Sequence, residues 1–233
     1  MSERLIRIDA TRSHSAHHGM PHPGQAIDVW NFVIPGFLQS EGTDNGMVKI
    51  WRMMRARVAS PWNAVELRSW CQRWSDLAEL VWMTRPHSGL PVINVYAYSW
   101  GGWSARLFAL ELARRELRIR TMVLSDPVYR HSYILGQWRA FRPSSKIVIP
   151  PNVDEVFWYR QQNPRFQCGR SGGFAQPAGH DVVAAHPDTT VHEPVLLTCE
   201  HMYADDNPSF REKCLAVSWA SRDPNPLPQR IST

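Results

Sequence analysis

The chain has 233 residues, of which 43% are hydrophobic and 20% charged, which are values of a globular protein and not of a disordered or fibrous one. Its net charge of +5 comes from scattered Lys and Arg residues, so the composition indicates no nucleic-acid partner. Because no apolar stretch reaches the ~20 residues of a membrane helix and the first residues lack an apolar signal sequence, we expect a cytoplasmic protein without an integral membrane segment.

The length suits one domain, which we predict over residues 27–221. Residues 1–26 are rich in His, Ser, Gly and Pro and predict an irregular N-terminal segment, and the Pro-rich end, 222–233, predicts a frayed tail. The N-terminal histidines have no Cys or carboxylate at metal-ligand spacing, so we expect no metal site there.

The first elements are predicted from their apolar patterns. Residues 27–34 form a buried strand pattern that stops at Pro35-Gly36. A helix is predicted over 43–58. A second helix is predicted over 63–83 from apolar residues at helical spacing, with Asn63 as its N-cap and a glutamate three residues later.

A serine then stands between a strand pattern and a helix pattern. Residues 92–98 are an apolar β-type run, and residues 101–116 have helical spacing. The turn between them reads Ala97-x-Ser99-x-Gly101, one methyl group away from the G-x-S-x-G nucleophile elbow. In that setting the Ser99 hydroxyl projects at the N-terminus of a helix, whose N–H groups can stabilise an oxyanion. We therefore predict Ser99 as a nucleophile, the alternative being a simple turn residue.

The rest of the chain continues the alternation of strands and helices. A strand over 119–125 ends in Asp126-Pro127, and a last strand over 193–199 precedes a helix from Asn207 to about residue 220. Shorter β-type runs occur at 146–149 and 156–159. The pattern predicts an α/β fold with a mainly parallel sheet and helices on both faces, where ligands bind beyond the carboxyl ends of the strands.

Between these elements, residues 127–145 have no periodicity but carry aromatic side chains. We predict that this segment is a lid or pocket wall, and that it contributes three substrate-pocket residues: Tyr129, Tyr133 and Trp138.

A serine nucleophile needs a base to take its proton and an acid to hold that base. His201 follows the last strand and precedes a helix, which places it at the same edge of the sheet as Ser99, whereas His180, His186 and His192 lie in a segment without a clear pattern. We predict His201 as the base, with those three histidines as alternatives.

Asp126 ends the strand that follows the elbow helix, and it therefore reaches the same edge. We predict Asp126 as the acid. Asp181 and Asp205 are the rival carboxylates, and Asp205 lies close enough to His201 in the chain to orient its loop. For the oxyanion hole we predict the backbone N–H groups of Trp100 and Phe37.

Over residues 27–220 these motifs resemble the α/β-hydrolase superfamily, and in particular compact serine-hydrolase-like proteins of bacterial and phage type. Those proteins share a Tyr-Ser-Trp-Gly-Gly elbow, an Asp-Pro-Val after the next strand and a His-x-x-x-Asp-Asp near the end. The resemblance implies a serine hydrolase that acts on small-molecule or lipid-like carboxylic esters through an acyl-enzyme and uses no cofactor. A non-catalytic scaffold used for binding, and an acyltransferase or thioesterase using the same triad, remain alternatives.

Overall fold

The computed structural model describes residues 25–37, 39, 42–87, 89–129, 146–162 and 179–218. Their strands, in chain order, are β1 Val29–Ile34, β2 Asn63–Leu67, β3 Val92–Tyr98, β4 Ile119–Ser125, β5 Lys146–Ile149, β6 Val153–Gln161, β7 Asp181–Ala184, β8 Thr190–Val191 and β9 Val195–Leu197. The helices are α1 Gly46–Val58, α2 Trp74–Met83, α3 Trp100–Ala113 and α4 Pro208–Ser218, with a 3-10 helix, His201–Asp206, before α4.

Most of the strands form one sheet in the order β2-β1-β3-β4-β6-β8, with β9 also paired to β6. Each ladder of this sheet is parallel, and a second, two-stranded sheet pairs β5 with β7, also in parallel. Parallel strands that are covered on both faces are mostly apolar and buried along nearly their whole length, as β1 and β3 are. This is the predicted fold class, and the prediction is confirmed.

The two faces of the sheet carry separate hydrophobic cores, because successive side chains of a strand point to opposite faces. Trp30, Phe32 and Ile34 of β1 belong to the core that includes buried residues of α2 and α3. Val33, from the same strand, belongs to the core under α1 and α4. Helices therefore cover both faces of the sheet.

The ends of β1 and β3 mark the place where the strand order reverses. The chain runs from β1 through α1 to β2 on one face, and returns through α2 to β3 on the other face. In open parallel sheets, ligands bind in the crevice at the carboxyl ends of the strands at such a point. Pro35 and Ser99 follow these two strands directly, so the topology positions a site there.

The prediction of one helix over 63–83 is wrong in its first half. Asn63 to Leu67 form β2, which pairs with β1, and α2 begins only at Trp74. The expected capping residue Asn63 instead accepts a hydrogen bond at its side chain from Asn31 Nδ2 of β1, at 2.9 Å. Pairing with a distant strand thus outweighs a local helical pattern, because β1 offers backbone partners that local spacing cannot reveal.

Other parts of the chain also differ from the prediction. The segment before residue 190 contains β7, which pairs with β5. The last strand is shorter than predicted, Val195–Leu197. The first helix begins at Gly46, after the Asn45 side chain caps it by accepting a hydrogen bond from the Val48 N–H. Strand 119–125 agrees with β4 at both ends.

Residues 1–24 of the predicted irregular segment (1–26) lie outside the described residues, as do the predicted frayed tail, 222–233, and residues 130–145 of the predicted lid. The single-domain organisation stays a prediction. None of the helices in the described part of the chain is long and apolar enough to span a bilayer.

Candidate active site

Ser99 sits on a strained turn between β3 and α3. Its φ of 54° and ψ of −124° lie in a region that residues other than glycine rarely adopt. Backbone hydrogen bonds hold this conformation: the Ser99 N–H donates to the Ser125 carbonyl at 3.1 Å, and the Ser99 carbonyl accepts from the N–H groups of Gly102 and Val128 at 2.9 and 2.8 Å. Strained residues of this kind persist where the surrounding structure fixes them, and they cluster at functional sites.

Gly101, two residues after the serine, explains the form of the motif. A Cβ atom at this position would collide with the backbone carbonyl oxygens of Ile34 and Pro35. The glycine therefore lets the start of α3 pass against the carboxyl end of β1. Ala97, on the other side of the serine, is fully buried within β3, where its methyl group is accommodated in the core.

His201 is the first residue of the 3-10 helix, and its ring faces the serine. Ser99 Oγ lies 2.8 Å from His201 Nε2. Tyr98 holds the histidine in two ways: its hydroxyl donates to the His201 carbonyl at 2.6 Å, and the two rings stack with centroids 5.1 Å apart. Tyr98 is a site residue that the sequence reasoning missed, although its place beside the elbow serine was visible.

Asp126 follows β4 with a φ of 39° and is fully buried. Its Oδ2 lies 2.5 Å from His201 Nδ1. Its Oδ1 accepts hydrogen bonds from the N–H groups of Gln161 and Gly179, at 3.1 and 3.0 Å. A Cβ at Gly179 would collide with that Oδ1, so the glycine permits this approach. Both carboxylate oxygens are thus occupied, and the orientation of the carboxylate is fixed.

The structure therefore brings Ser99, His201 and Asp126 together in one buried chain of hydrogen bonds. Among the described residues, His201 is the one histidine whose ring reaches Ser99. His180 is buried, but its Nδ1 accepts the Tyr129 N–H at 3.1 Å. His186 and His192 are partly exposed and pair with acidic side chains elsewhere.

The two residues predicted for the oxyanion hole lie side by side. The rings of Phe37 and Trp100 have centroids 4.4 Å apart, and Trp70 contacts both, at 5.5 and 5.6 Å. We call these three side chains the aromatic cluster. The loop that carries Phe37 passes beside the nucleophile, since a Cβ built on Gly36 would lie 3.0 Å from the Ser99 Cβ. The sequence reasoning did not assign Trp70 to the site, because it placed Trp70 within the helix over 63–83.

Of the three predicted pocket residues, Tyr129 is the one that the structure describes. The ring of Tyr129 packs against Trp103 of α3 with centroids 4.5 Å apart. Tyr133 and Trp138 lie outside the described residues. Within the described ranges, no group of three or more His, Cys, Asp or Glu side chains is placed to hold a metal ion.

Asp205, the rival acid, is buried on the 3-10 helix that begins at His201. Its Oδ2 accepts a hydrogen bond from Gln39 Nε2 at 2.9 Å, and the Met47 N–H of α1 also donates to this carboxyl group. Burial raises the pKa of the Asp205 carboxyl, while these two hydrogen bonds oppose the rise. Gln39 gave no signal in the sequence, because its partner lies 166 positions away.

The chain matches no protein-family model and no curated protein sequence. Among solved structures, it is similar at low identity to RedJ with a polyethylene glycol molecule bound in the active site (15% identity, TM-score 0.39, covering 85% of this chain and 94% of that one). Human thioesterase 2 is 11% identical with a TM-score of 0.39, over 84% of this chain and 100% of that one. The Vlm2 thioesterase domain is 12% identical with a TM-score of 0.37, over 84% and 94%.

Proposed function

We propose that this protein is a serine hydrolase of the α/β-hydrolase superfamily that cleaves carboxylic esters through an acyl-enzyme on Ser99. The observation that carries the proposal is the continuous chain from Ser99 Oγ through His201 to Asp126, with distances of 2.8 and 2.5 Å. A serine hydroxyl is a weak nucleophile unless an adjacent base takes its proton, and that base works when an acid fixes its tautomer. The chain order of serine, acid and histidine is that of α/β-hydrolases.

In the proposed reaction, Ser99 Oγ attacks the ester carbonyl carbon while its proton passes to His201 Nε2. Asp126 stabilises the imidazolium that forms. His201 then gives the proton to the leaving alkoxide, the carbon–oxygen bond to the alcohol breaks, and the acyl group stays on Ser99. In the second half, His201 takes a proton from water, the hydroxide adds to the acyl carbon, and the carboxylic acid leaves as Ser99 recovers its proton.

We assign the oxyanion hole of this reaction to the backbone N–H groups of Phe37 and Trp100. Trp100 begins α3, where the N–H groups of the first turn carry partial positive charge. Phe37 lies on the loop that passes directly beside Ser99. Two fixed donors aimed at the developing negative charge are a major source of rate enhancement in acyl transfer.

The aromatic cluster supports an apolar substrate. Phe37 is 47% exposed although it packs against Trp70 and Trp100, so one face of an aromatic wall is open beside the nucleophile. We therefore propose a small-molecule or lipid-like ester with an apolar acyl or aryl group. Tyr129, with Trp103 behind it, is proposed as a second part of the pocket.

A thioesterase or acyltransferase would use the same residues and would differ only in the leaving group or in the acceptor. A non-catalytic binding scaffold is a different class of function. The strain at Ser99 favours an enzyme, because a non-glycine residue at this φ costs about 1–3 kcal/mol and a scaffold gains nothing from it.

The test is labelling and turnover of the wild-type protein and Ser99→Ala, with Ser75→Ala on the exposed start of α2 as the control. We expect a fluorophosphonate to label the wild type at Ser99, as located by mass spectrometry of the peptides. Turnover of p-nitrophenyl butyrate should fall about 10⁶-fold in Ser99→Ala and stay unchanged in the control.

Parallel assays with matched oxygen esters and thioesters of the same acyl group identify the preferred leaving group. Failure of the fluorophosphonate to label Ser99, or turnover by Ser99→Ala within tenfold of the wild type, would refute the proposed mechanism.

A further inference from the structure

The start of the loop after β1 is held by ring contacts and by hydrogen bonds. The ring of Phe37 is fixed in the aromatic cluster. On the backbone side, the Gly36 N–H donates to Gln39 Oε1 at 2.9 Å, and the Gln39 N–H donates to the Gly36 carbonyl at 3.2 Å. Among the described residues, none accepts a hydrogen bond from the Phe37 N–H. The Gly36 N–H is therefore engaged, and of the two N–H groups at Gly36 and Phe37, that of Phe37 is the one without an acceptor among the described residues.

The orientation of the Gln39 amide follows from its partners. A backbone N–H can only donate, so the amide oxygen of Gln39 faces Gly36, and its Nε2 then donates to Asp205 Oδ2 at 2.9 Å. Asp205 is only 2% exposed and lies four residues after His201 on the same 3-10 helix. A continuous chain of hydrogen bonds thus joins the helix that carries the histidine to the loop that carries Phe37.

We propose that Gln39 and Asp205 are positioning residues, which hold Gly36 through its N–H so that the following N–H, that of Phe37, points to the oxyanion formed at Ser99. This inference rests on the proposed acyl-enzyme mechanism. The two residues do not touch the reacting atoms. They act through the backbone of the loop. They therefore lower the free energy of the transition state, in which the oxyanion exists, and not that of the bound substrate.

The hydrogen bond from Gln39 to Asp205 can be tested by exchanging its donor and its acceptor. In Gln39→Glu, one oxygen still accepts the Gly36 N–H, but the other faces the Asp205 carboxylate, and like charges at this distance repel. In the double variant Gln39→Glu/Asp205→Asn, the introduced amide donates to the introduced carboxylate, and its oxygen remains for the Met47 N–H. The hydrogen bond between positions 39 and 205 is then restored, with position 205 as the donor and position 39 as the acceptor.

We expect Gln39→Glu to lower kcat for p-nitrophenyl butyrate roughly 10²-fold, the scale for losing one oxyanion donor, with KM changed less than about twofold. The double variant should recover kcat to within about tenfold of the wild type. The inhibition constant of a trifluoromethyl ketone, whose adduct carries the oxyanion, should rise in Gln39→Glu by the factor by which kcat/KM falls.

Gln25→Glu is the matched control, because this glutamine donates from its side chain to the Pro61 carbonyl near the amino end of β1, away from the site. We expect its kcat to equal that of the wild type. Gln39→Met keeps the shape of the side chain but removes both of its hydrogen bonds, to Gly36 and to Asp205. It gives the same test without an added charge if Gln39→Glu does not fold. We expect its kcat to fall by a similar factor.

Wild-type kcat in Gln39→Glu or Gln39→Met would overturn the inference, as would a double variant as slow as the single one. These results are distinct from a failure of the proposed function. If the proposed function fails, the fluorophosphonate does not label Ser99 of the wild type. If only the present inference fails, the wild type is labelled, but the kcat values of the Gln39 variants differ from those expected.

Discussion

At the scale of single residues, the candidate site is defined by which atoms of Asp126 and His201 already have partners. Oδ1 of Asp126 accepts two backbone N–H groups, so only Oδ2 is left for His201 Nδ1. With Nδ1 donating to the carboxylate, Nε2 is the acceptor for the Ser99 hydroxyl. The backbone around Asp126 therefore sets the tautomer of a histidine on another element.

This arrangement makes the effect of Asp126→Asn predictable. The backbone donors of Gln161 and Gly179 will keep the amide oxygen on their side, which turns the amide NH₂ toward His201 Nδ1. The histidine must then carry its proton on Nε2, where it cannot accept one from Ser99. We expect kcat for p-nitrophenyl butyrate to fall about 10⁴-fold.

Two other carboxylates serve as comparisons for Asp126→Asn in the same assay. Asp181→Asn, at an exposed ion pair with Arg160, should leave kcat unchanged. Asp205→Asn should cost less than Asp126→Asn, because its amide oxygen can still accept from Gln39. A larger loss for Asp205→Asn than for Asp126→Asn would assign the acid to Asp205 and leave Asp126 as a turn residue.

At the scale of elements, the site depends on where helices and strands end. Ser99, Asp126 and the loop of Gly36 follow β3, β4 and β1 directly, and the parallel arrangement brings these ends to one edge of the sheet. α1 contributes through its first turn, since the Met47 N–H donates to Asp205. The beginning of α1 is therefore connected to the 3-10 helix that carries His201.

The cap of α1 can be tested separately. Asn45→Ala removes the acceptor for the Val48 N–H, which lies at 3.0 Å from the Asn45 oxygen. We expect the free energy of unfolding to fall by about 1 kcal/mol, measured by urea denaturation. Asn45→Ser keeps an N-cap acceptor and should stay within a few tenths of a kcal/mol of the wild type. Equal losses in both variants would show that the cap is not the source of the stabilisation.

At the scale of the whole molecule, the sheet separates a core under α2 and α3 from a core under α1 and α4. Tyr98, which supports His201, belongs to the second core. Phe108 of α3 belongs to the first core, where its ring meets Phe32 edge to face with centroids 4.9 Å apart. A substitution in the first core can therefore lower the stability of the protein while the contacts between Tyr98 and His201 on the other face are kept.

Phe108→Ala tests this separation. Phe108 is fully buried, and truncating such a ring costs about 3–5 kcal/mol, a large part of the roughly 5–15 kcal/mol by which a protein of this kind is stable. We expect a lower denaturation midpoint in urea, with kcat unchanged when it is calculated per molecule labelled by the fluorophosphonate. A drop in kcat per labelled molecule would show that the two faces are coupled.

The sequence alone determined the fold class, and it predicted the residues that the structure brings together. Alternating apolar patterns indicated a parallel sheet covered on both faces, and Ser99, Asp126 and His201 were recognisable because each lies just after a strand pattern. Residues at the carboxyl ends of parallel strands share one edge, so their proximity can be inferred without coordinates. Their catalytic roles stay a prediction for the experiments above.

Only the tertiary structure decided the contacts that join distant parts of the chain. β2 is a strand because β1 pairs with it, and the helical spacing of its residues carried no information about that partner. Gln39 reaches Asp205 across 166 positions, and Trp70 meets Phe37 and Trp100 because the loop before α2 packs against the loop after β1 and the start of α3. The physical reason is the same in each case: local periodicity reports which face of an element is buried, whereas hydrogen bonds and ring contacts depend on which elements pack together.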